Sequence, residues 1–269
     1  MKIRRRLTKQ KGKKMKKITL TSLLAFFVVS AASAANIIDN NPLYRPSEGR
    51  FYSNFAVESN SDRTEDWKIT EEFGYGVTND LAVFMKTGVS ERETFDVASW
   101  DEFTIGVNYR ALDVGQWRGD VYVTYGLDTV WGDHMPFLGE DVTNYTWTLG
   151  VRGGFVGNGW VLAGHAEFDY GNTESFNWAD DGIHSLKLGL DGQYLLDDQW
   201  NMVAGIEYTG MLDDQFEDAG KWAAKIGANY NIDETKFIGA YISGEMGHET
   251  GDWEWADGFG FGVVFGVEF

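Results

Sequence analysis

The chain has 269 residues, with 41 acidic against 23 basic side chains and a formal net charge of −18. Ten of the basic residues precede residue 18, so the rest of the chain is more acidic still, at about −28. Such a chain repels nucleic acid and attracts cations. It has no cysteine, which excludes disulfides and thiolate chemistry, and a mean hydropathy of −0.31 argues against a bundle of membrane helices.

The first segment has the features of a cleaved export signal. An apolar run over 20–29 follows the basic cluster, and Ala32-Ser33-Ala34 supplies an A-x-A cleavage pattern. The apolar run is too short for the roughly 20 helical residues that span a bilayer. We therefore predict a signal peptide over 1–34, cut after Ala34.

Two further boundaries concern the start of the folded domain. Met15, followed by two lysines, is a second candidate start, which would make 1–14 an artefactual extension. Residues 35–49 contain two prolines and are predicted to form a periplasmic lead-in. The folded domain is then predicted to occupy 50–269.

From residue 50 onward, apolar and polar side chains alternate with the period of two that is typical of strands with two different faces. Twelve segments show this pattern, and each has about the length of a tilted membrane strand. The predicted strands lie near 50–59, 65–77, 81–89, 101–111, 118–128, 143–155, 160–170, 182–194, 200–210, 219–230, 236–247 and 258–269.

The links between these segments alternate between two kinds. Short links rich in Gly, Asn and Asp, as tight turns need, lie at 78–80, 113–117, 157–159, 196–199 and 233–235. Generally longer links lie near 60–64, 90–100, 129–142, 171–181, 211–218 and 248–257. An antiparallel membrane barrel has this alternation, whereas a soluble sandwich has no reason for it.

The two faces of the predicted strands differ in kind. In one of them Trp222 and Ile226 share a face, whereas Lys221 and Lys225 share the other. Unpaired charges opposite an apolar face do not fit a dry protein core, but they fit a wet lumen with the apolar face in lipid. Trp and Tyr at the ends of the apolar faces match aromatic girdles. Glu71 falls on an apolar face, which predicts that it lies above the bilayer or marks a β-bulge.

The chain ends on a strand that closes with an aromatic residue. Large apolar side chains alternate with small or polar ones from Phe259 to Phe269. This ending resembles the closing strand of Gram-negative outer-membrane β-barrels, in which a C-terminal Phe acts as the assembly signal. The resemblance implies an all-β fold: a single antiparallel transmembrane β-barrel of about twelve strands, with short periplasmic turns and long outer loops. It also implies an outer-membrane location, contact with lipid, and recognition of Phe269 by the barrel-assembly machinery.

The polar faces supply a candidate lumen with charges of both signs. Its members are Lys68, Glu72, Lys86, Arg110, Arg152, His165, Glu167, Asp169, Lys187, Asp191, Glu207, Lys221 and Lys225, together with Glu58, Glu102 and Glu245. If acidic and basic walls are segregated, the lumen holds a transverse field and a selectivity filter. If the charges interleave, they form salt bridges that close the lumen. The register between strands is unknown from sequence, so both arrangements remain open.

The outer loops are rich in carboxylates, and these predict a negative potential at the mouth that enriches cations. The residues concerned are Asp213, Asp214, Glu217, Asp218, Asp252, Glu254 and Asp257. Carboxylate clusters can hold Ca²⁺, but the spacing of a twelve-residue calcium loop is absent. Weak binding of divalent ions by solvated loops is the favoured interpretation.

No catalytic constellation is recognised in the chain. The four histidines, His134, His165, His184 and His248, form no i, i+4 pair that would indicate a metal site. His184 and Ser185 are adjacent, but neighbours on a strand point to opposite faces. The chain is predicted to be neither an enzyme nor a binder of a cofactor or metal.

Two functions remain open on these grounds. The first is a porin-like channel for passive diffusion of small hydrophilic solutes, favouring cations, since a barrel of about twelve strands is wide enough to leave a pore. The second is a closed structural or surface-interaction barrel without transport. The solute and the oligomeric state are not set by the sequence.

Overall fold

The computed structural model describes residues 42–60, 67–91, 98–130, 142–173, 183–213, 220–248, 254–255 and 259–269. These residues form twelve long strands and one strand of two residues. The strands are β1 (Phe51–Asn60), β2 (Trp67–Gly76), β3 (Leu81–Glu91), β4 (Ala98–Val114), β5 (Trp117–Val130), β6 (Val142–Val156), β7 (Trp160–Thr173), β8 (Ile183–Leu195), β9 (Trp200–Met211), β10 (Gly220–Asp233), β11 (Lys236–His248), β12 (Glu254–Trp255) and β13 (Gly260–Glu268).

The twelve long strands form one closed antiparallel barrel. Consecutive strands pair from β1 to β11, β11 pairs with β13, and β13 pairs with β1 across a seam. Closure matters because a bilayer offers no partner for an open row of backbone groups. The short β12 pairs only with β11, beside Met246 and Gly247. The predicted single antiparallel barrel of about twelve strands is confirmed.

A helical membrane protein would need apolar helices of about 20 residues. No helix in the described part of the chain is long and apolar enough to cross a membrane.

Tight turns join the strands at one end of the barrel, where the short links were predicted. In the turn between β8 and β9, Asp197 accepts a hydrogen bond from the backbone N–H of Trp200 at 2.7 Å. In the turn between β10 and β11, Asp233 accepts from the backbone N–H of Thr235 at 2.8 Å and from Lys236 Nζ at 2.9 Å. In outer-membrane barrels the end with short turns faces the periplasm.

Apolar side chains are exposed on the outside of the barrel and charged side chains are buried on the inside, the reverse of a soluble protein. The outward Ile226 is 47% exposed and Leu149 is 55% exposed, whereas the inward Lys187 and Asp169 are each 1% exposed. Exposed aliphatic side chains around the whole wall fit lipid as the outer solvent. The predicted assignment of lipid and lumen faces therefore agrees with the structure.

Aromatic contacts occur on the outer surface at both ends of the barrel. On the paired strands β9 and β10, the rings of Trp200 and Tyr230 lie 5.0 Å apart at the end with short turns. The rings of Tyr208 and Trp222 also lie 5.0 Å apart, towards the other end of the same two strands. This arrangement is that of two interfacial girdles.

The structure differs from the sequence-based prediction near the turn between β4 and β5. The predicted turn covers 113–117, but β4 runs to Val114 and β5 starts at Trp117. A register shift between Arg110 and Leu112 leaves Ala111 without a partner on β5. The extra residue interrupts the alternation of β4, so that Leu112 pairs with Gly119 and not with Arg118.

Glu71 does not mark a bulge. It pairs in regular register with Phe55 of β1 and Thr87 of β3, in the middle of β2. Ser53 Oγ, which also faces outward, donates a hydrogen bond to Glu71 Oε1 at 2.6 Å. The carboxylate on the lipid side is therefore hydrogen-bonded to a neighbouring strand.

Candidate functional site: the barrel lumen

Aromatic side chains on the inner wall each lie over a glycine of the neighbouring strand. Tyr52 is the cross-strand partner of Gly74, and Tyr122 is that of Gly150. A Cβ added at either glycine would overlap the ring beside it. The same arrangement occurs in the pairs Phe84–Gly106, His165–Gly189, Phe237–Gly266 and Tyr241–Gly262. The glycines therefore allow each ring to lie against the wall.

Each of the three tyrosines in this set donates a hydrogen bond from its hydroxyl group to a carboxylate. Tyr122 donates to Glu167 Oε1 at 2.6 Å, and Tyr52 and Tyr241 donate to Glu72 and Glu58 respectively. Hydrogen bonds to ionised groups are stronger than those between neutral groups. Each bond thus fixes both an aromatic ring and a carboxylate on the wall.

On β2 to β4, Glu102 lies between two lysines. Its Oε2 is 2.9 Å from Lys68 Nζ, and its Oε1 is 3.0 Å from Lys86 Nζ. Glu58 and Glu72, the cross-strand partners of Lys68 and Lys86, bring two further carboxylates to this part of the wall.

On β4 to β6, Asp120 lies between two arginines. Arg152 Nε donates to Asp120 Oδ2 at 2.7 Å, and Arg110 Nε donates to Oδ1. The side chain of Asp120 is wholly buried. Arg110 Nη2 also donates to Asp120 Oδ2 at 3.5 Å, but each Nη2 carries two N–H groups and can donate to a further acceptor.

On β7 and β8 one lysine lies between two carboxylates. Lys187 Nζ lies 3.1 Å from Asp169 Oδ2 and 3.3 Å from Glu167 Oε2. Ser185 Oγ donates a further bond to Asp169 Oδ2 at 3.2 Å. A single lysine of β8 thus binds two carboxylates of β7.

His165 on β7 bridges two carboxylates further along the same wall. Its Nδ1 is 3.1 Å from Asp191 Oδ2 of β8, and its Nε2 is 3.1 Å from Glu207 Oε2 of β9. Among the described residues, no group of three or more His, Cys, Asp or Glu is arranged to hold a metal ion. The histidine here acts as a link between strands.

The remaining charges of the predicted lumen lie on β10 and β11. Lys221 Nζ is 2.8 Å from Glu245 Oε2. Lys225 Nζ lies 5.9 Å from the centre of the Tyr241 ring, within range of a cation–π interaction. The structure thus places every predicted lumen residue on the inner face of the barrel.

These ion pairs decide between the two arrangements that the sequence leaves open. Acidic and basic groups interleave, so no wall is purely of one sign. Each pair, however, joins strands that are adjacent or next but one in the sheet, so the pairs run along the wall. Partners that are buried and hydrogen-bonded in this way offset much of the cost of removing charge from water. The ion-paired side chains therefore lie along the wall of the lumen and do not fill it.

A cavity remains in the lumen between these side chains. It is small, with a volume of about 70 Å³. Charged groups of both signs line it, including Lys86, Glu72, Arg152, His165 and Asp191, and Pro42 of the segment before β1 lies at one side.

Most of the predicted mouth carboxylates lie outside the described residues: Asp214, Glu217, Asp218, Asp252 and Asp257. Glu254 lies in β12, the short strand beside β11. Asp213 accepts hydrogen bonds from the backbone N–H of His184 at 2.7 Å and contacts its Nδ1 at 2.8 Å. This carboxylate is held at the rim between β8 and β9.

The predicted assembly residue lies at the seam. Phe269 N donates to Phe51 O, and Phe51 N donates to Phe269 O, both at 2.9 Å. Their rings stack with centres 6.0 Å apart. The terminal residue is thus paired with the first residue of β1.

Asp120 and Glu268 also face the lumen and were not among the predicted residues. Asp120 follows the same alternation as Tyr122 and Thr124, opposite Val121 and Val123, and this pattern could have identified it. Glu268 lies next to the terminal residue, on the face that carries the small and polar side chains of the closing strand. Its role becomes visible only through Arg50 Nε, 2.8 Å from its Oε1.

A closed barrel with an apolar outer wall and an ion-paired lumen defines the class of outer-membrane β-barrels. Solved structures of this class resemble the chain. The KdgM porin has a TM-score of 0.53 at 9% identity, over 81% of this chain and 99% of that chain. The NanC porin has a TM-score of 0.52 at 10% identity, over 81% and 98%.

A weaker likeness is to OmpT of Vibrio cholerae, with a TM-score of 0.46 at 12% identity over 84% of this chain and 99% of the other. At these identities the comparisons show the fold alone. No protein-family model matches the chain, and no curated protein sequence matches it.

Proposed function

We propose that the protein is a channel of the Gram-negative outer membrane through which small hydrophilic solutes diffuse passively, with a preference for cations. The observation that supports it best is a lumen whose charges pair along the wall around a polar cavity. Tyrosines held against glycines keep their rings out of this space.

The preference for cations rests on an excess of carboxylates. On the described inner wall the acidic side chains outnumber the lysines and arginines; they are Glu58, Glu72, Glu102, Asp120, Glu167, Asp169, Asp191, Glu207, Glu245 and Glu268. The carboxylates of the outer loops add to this at the mouth. Together they attract cations over a Debye length of about 8–10 Å at physiological salt.

The resemblance to porins supports a channel. The ion pairs of the inner wall, however, favour a different solute from that of one solved porin. The KdgM porin has been solved in complex with disordered oligogalacturonate, a polyanion. In this chain Lys86, Arg152 and Lys187 each contact a carboxylate of their own wall. A polyanion would have to displace those carboxylates, whereas neutral or cationic solutes would not.

Reversal potentials in a planar bilayer across a salt gradient test the proposal. The wild-type protein should favour cations in dilute salt and lose most of the preference by about 1 M, where the Debye length is about 3 Å. Replacing Asp213, Asp214, Glu217 and Asp218 by their amides should weaken the preference while leaving conductance in high salt nearly unchanged. Anion preference in the wild-type protein, or an unaltered reversal potential in the variant, would refute the mouth mechanism.

The closed structural barrel is the second candidate, and one observation favours it. Residues 42–45 lie inside the lumen at the end with short turns, and Leu43 there is only 2% exposed. If these residues never move, the path is shut at that end. A protein that never conducts, even with these residues removed, would be a structural barrel.

A further inference from the structure

The segment that precedes β1 crosses the lumen. Arg50 is anchored at the seam through Glu268, and Tyr44 contacts Tyr52 of β1 and Phe237 of β11. Leu43 packs against Val161 and Ala163 of β7. In a ring of twelve strands β7 lies opposite β1, so the chain passes from one wall to the other.

The wall holds the backbone of this segment through the two arginines that flank Asp120. Arg110 Nη2 donates to the carbonyl oxygen of Leu43 at 2.6 Å, and Arg152 Nη2 donates to that of Tyr44 at 3.0 Å. These are charge-assisted bonds to backbone acceptors inside the barrel. Asp120 orients both guanidinium groups towards the segment.

The wall also carries an apolar surface where the segment contacts it. Further along β7 the inward side chains are His165, Glu167 and Asp169, but at the short-turn end they are Val161 and Ala163. Those two residues receive Leu43. Apolar residues facing a wet lumen are unfavourable unless something covers them, so the wall is matched to this segment.

A tight turn connects the segment to the barrel. Arg50 N donates to Ser47 O at 3.0 Å, and Gly49 has φ = +77°, as the third residue of a type II turn requires. Residues 47–49 are exposed, whereas 42–44 are buried. The turn therefore lies at the rim, where Gly49 N also donates to Gly76 O of β2 at 2.8 Å. A change in the backbone angles of the turn that swings the segment out must break this bond but leaves β1 paired.

We propose that residues 42–45 are a plug that closes the short-turn end of the lumen, and that the Arg110–Asp120–Arg152 cluster together with the apolar patch on β7 is its receptor. The plug leaves the receptor to open the channel. This inference rests on the proposed channel function, and its tests are chosen to separate the two.

A disulfide can lock the plug in place, because the chain has no other cysteine. In the double variant Leu43→Cys/Ala163→Cys, oxidation joins two side chains that already pack together. Single-channel conductance should be low in the oxidised protein and rise severalfold on reduction. Equal conductance in the two states would overturn the plug.

Weakening the receptor should open the channel without breaking the barrel. Arg152→Met removes one bond to the plug, while Asp120 keeps Arg110 as its partner. Open probability should rise. The matched control is Arg118→Met, which removes an arginine bonded to Gly115 O at 2.7 Å in the nearby turn. An equal effect of both substitutions would contradict a specific receptor.

A chemical readout distinguishes failure of the plug from failure of the channel. In Leu43→Cys a water-soluble maleimide should react slowly, and it should react faster when Arg152→Met is added. If labelling is fast in both, the plug does not close the lumen, whatever the conductance. If labelling follows the plug but deletion of residues 36–45 still gives no current, both the channel and its gate are refuted.

Discussion

At the scale of single residues, a glycine on the inner wall determines where the ring on the next strand can lie. Gly150→Ala places a methyl group in the position that the Tyr122 ring now occupies. The ring must then move into the lumen and weaken its bond to Glu167. We expect a loss of about 1–3 kcal/mol, as for other overpacked sites, together with lower conductance.

Unfolding by urea in lipid vesicles measures the first effect, and planar bilayers measure the second. Gly153→Ala on the same strand is the control, because a Cβ there would meet only backbone atoms at ordinary contact distance. If both variants unfold alike, the rings do not depend on the glycines.

Also at this scale, the two faces of β10 should respond differently to charge. Ile226→Arg puts a charge on the lipid face and should cost about 2–4 kcal/mol near the bilayer midplane. Ala223→Arg faces the lumen between Glu207 and Glu245, its partners on the two neighbouring strands. It should be tolerated or even stabilising, and equal losses in the two unfolding curves would show that the faces are misassigned.

At the scale of the element, β13 and the terminal residue close the barrel. Phe269→Ser removes the ring but keeps both backbone bonds to Phe51, whereas deleting Phe269 removes the bonds as well. If the ring is the assembly signal, both variants should reduce outer-membrane insertion sharply. The ring itself contributes at most about 1.5–3 kcal/mol of burial, too little to unfold the barrel.

The yield of protease-resistant barrel in outer-membrane fractions measures this effect. Phe265→Ser is the control, since it removes an outward aromatic ring from the same strand without touching the end. Normal yield from the deletion would mean that Phe269 is no signal, and loss only in the deletion would indicate that the seam bonds matter instead.

The strands were predictable from sequence because each one separates two different solvents. Lipid on one side and a wet lumen on the other impose the period of two, as in Trp222, Ile226, Lys221 and Lys225. The boundaries of β4 and β5 were not predicted to the residue. The bulge beside Arg110 inserts one residue, and a periodic pattern carries no sign of it before the partner strand is known.

The lumen was predictable as a set of residues but not as a set of contacts. Lys187 meets Asp169 and Glu167 because β7 and β8 pair in one particular register, and a shift of two residues would give other partners. The plug was predicted only as a lead-in over 35–49. This short segment contains two prolines and shows no regular alternation of apolar and polar side chains. Its position in the folded protein therefore depends on surfaces formed by distant strands.

At the scale of the whole molecule, the closed circle of strands should resist detergent. We expect the unboiled protein to migrate differently from the boiled protein on a detergent gel, because the backbone bonds of a closed barrel have no edge from which to unravel. The deletion of Phe269 gives the matched sample with an altered seam. A wild-type protein that stays soluble in the periplasm without detergent would contradict the membrane assignment.

Because β1 pairs with β13, the first strand to leave the ribosome lacks one of its two neighbours until the last residue has been exported. Throughout that interval its backbone is an open template for pairing with other chains. The net negative charge of the chain opposes this pairing. From residue 18 onward the chain carries 41 acidic against 13 basic side chains, so unfinished barrels repel one another and aggregate less.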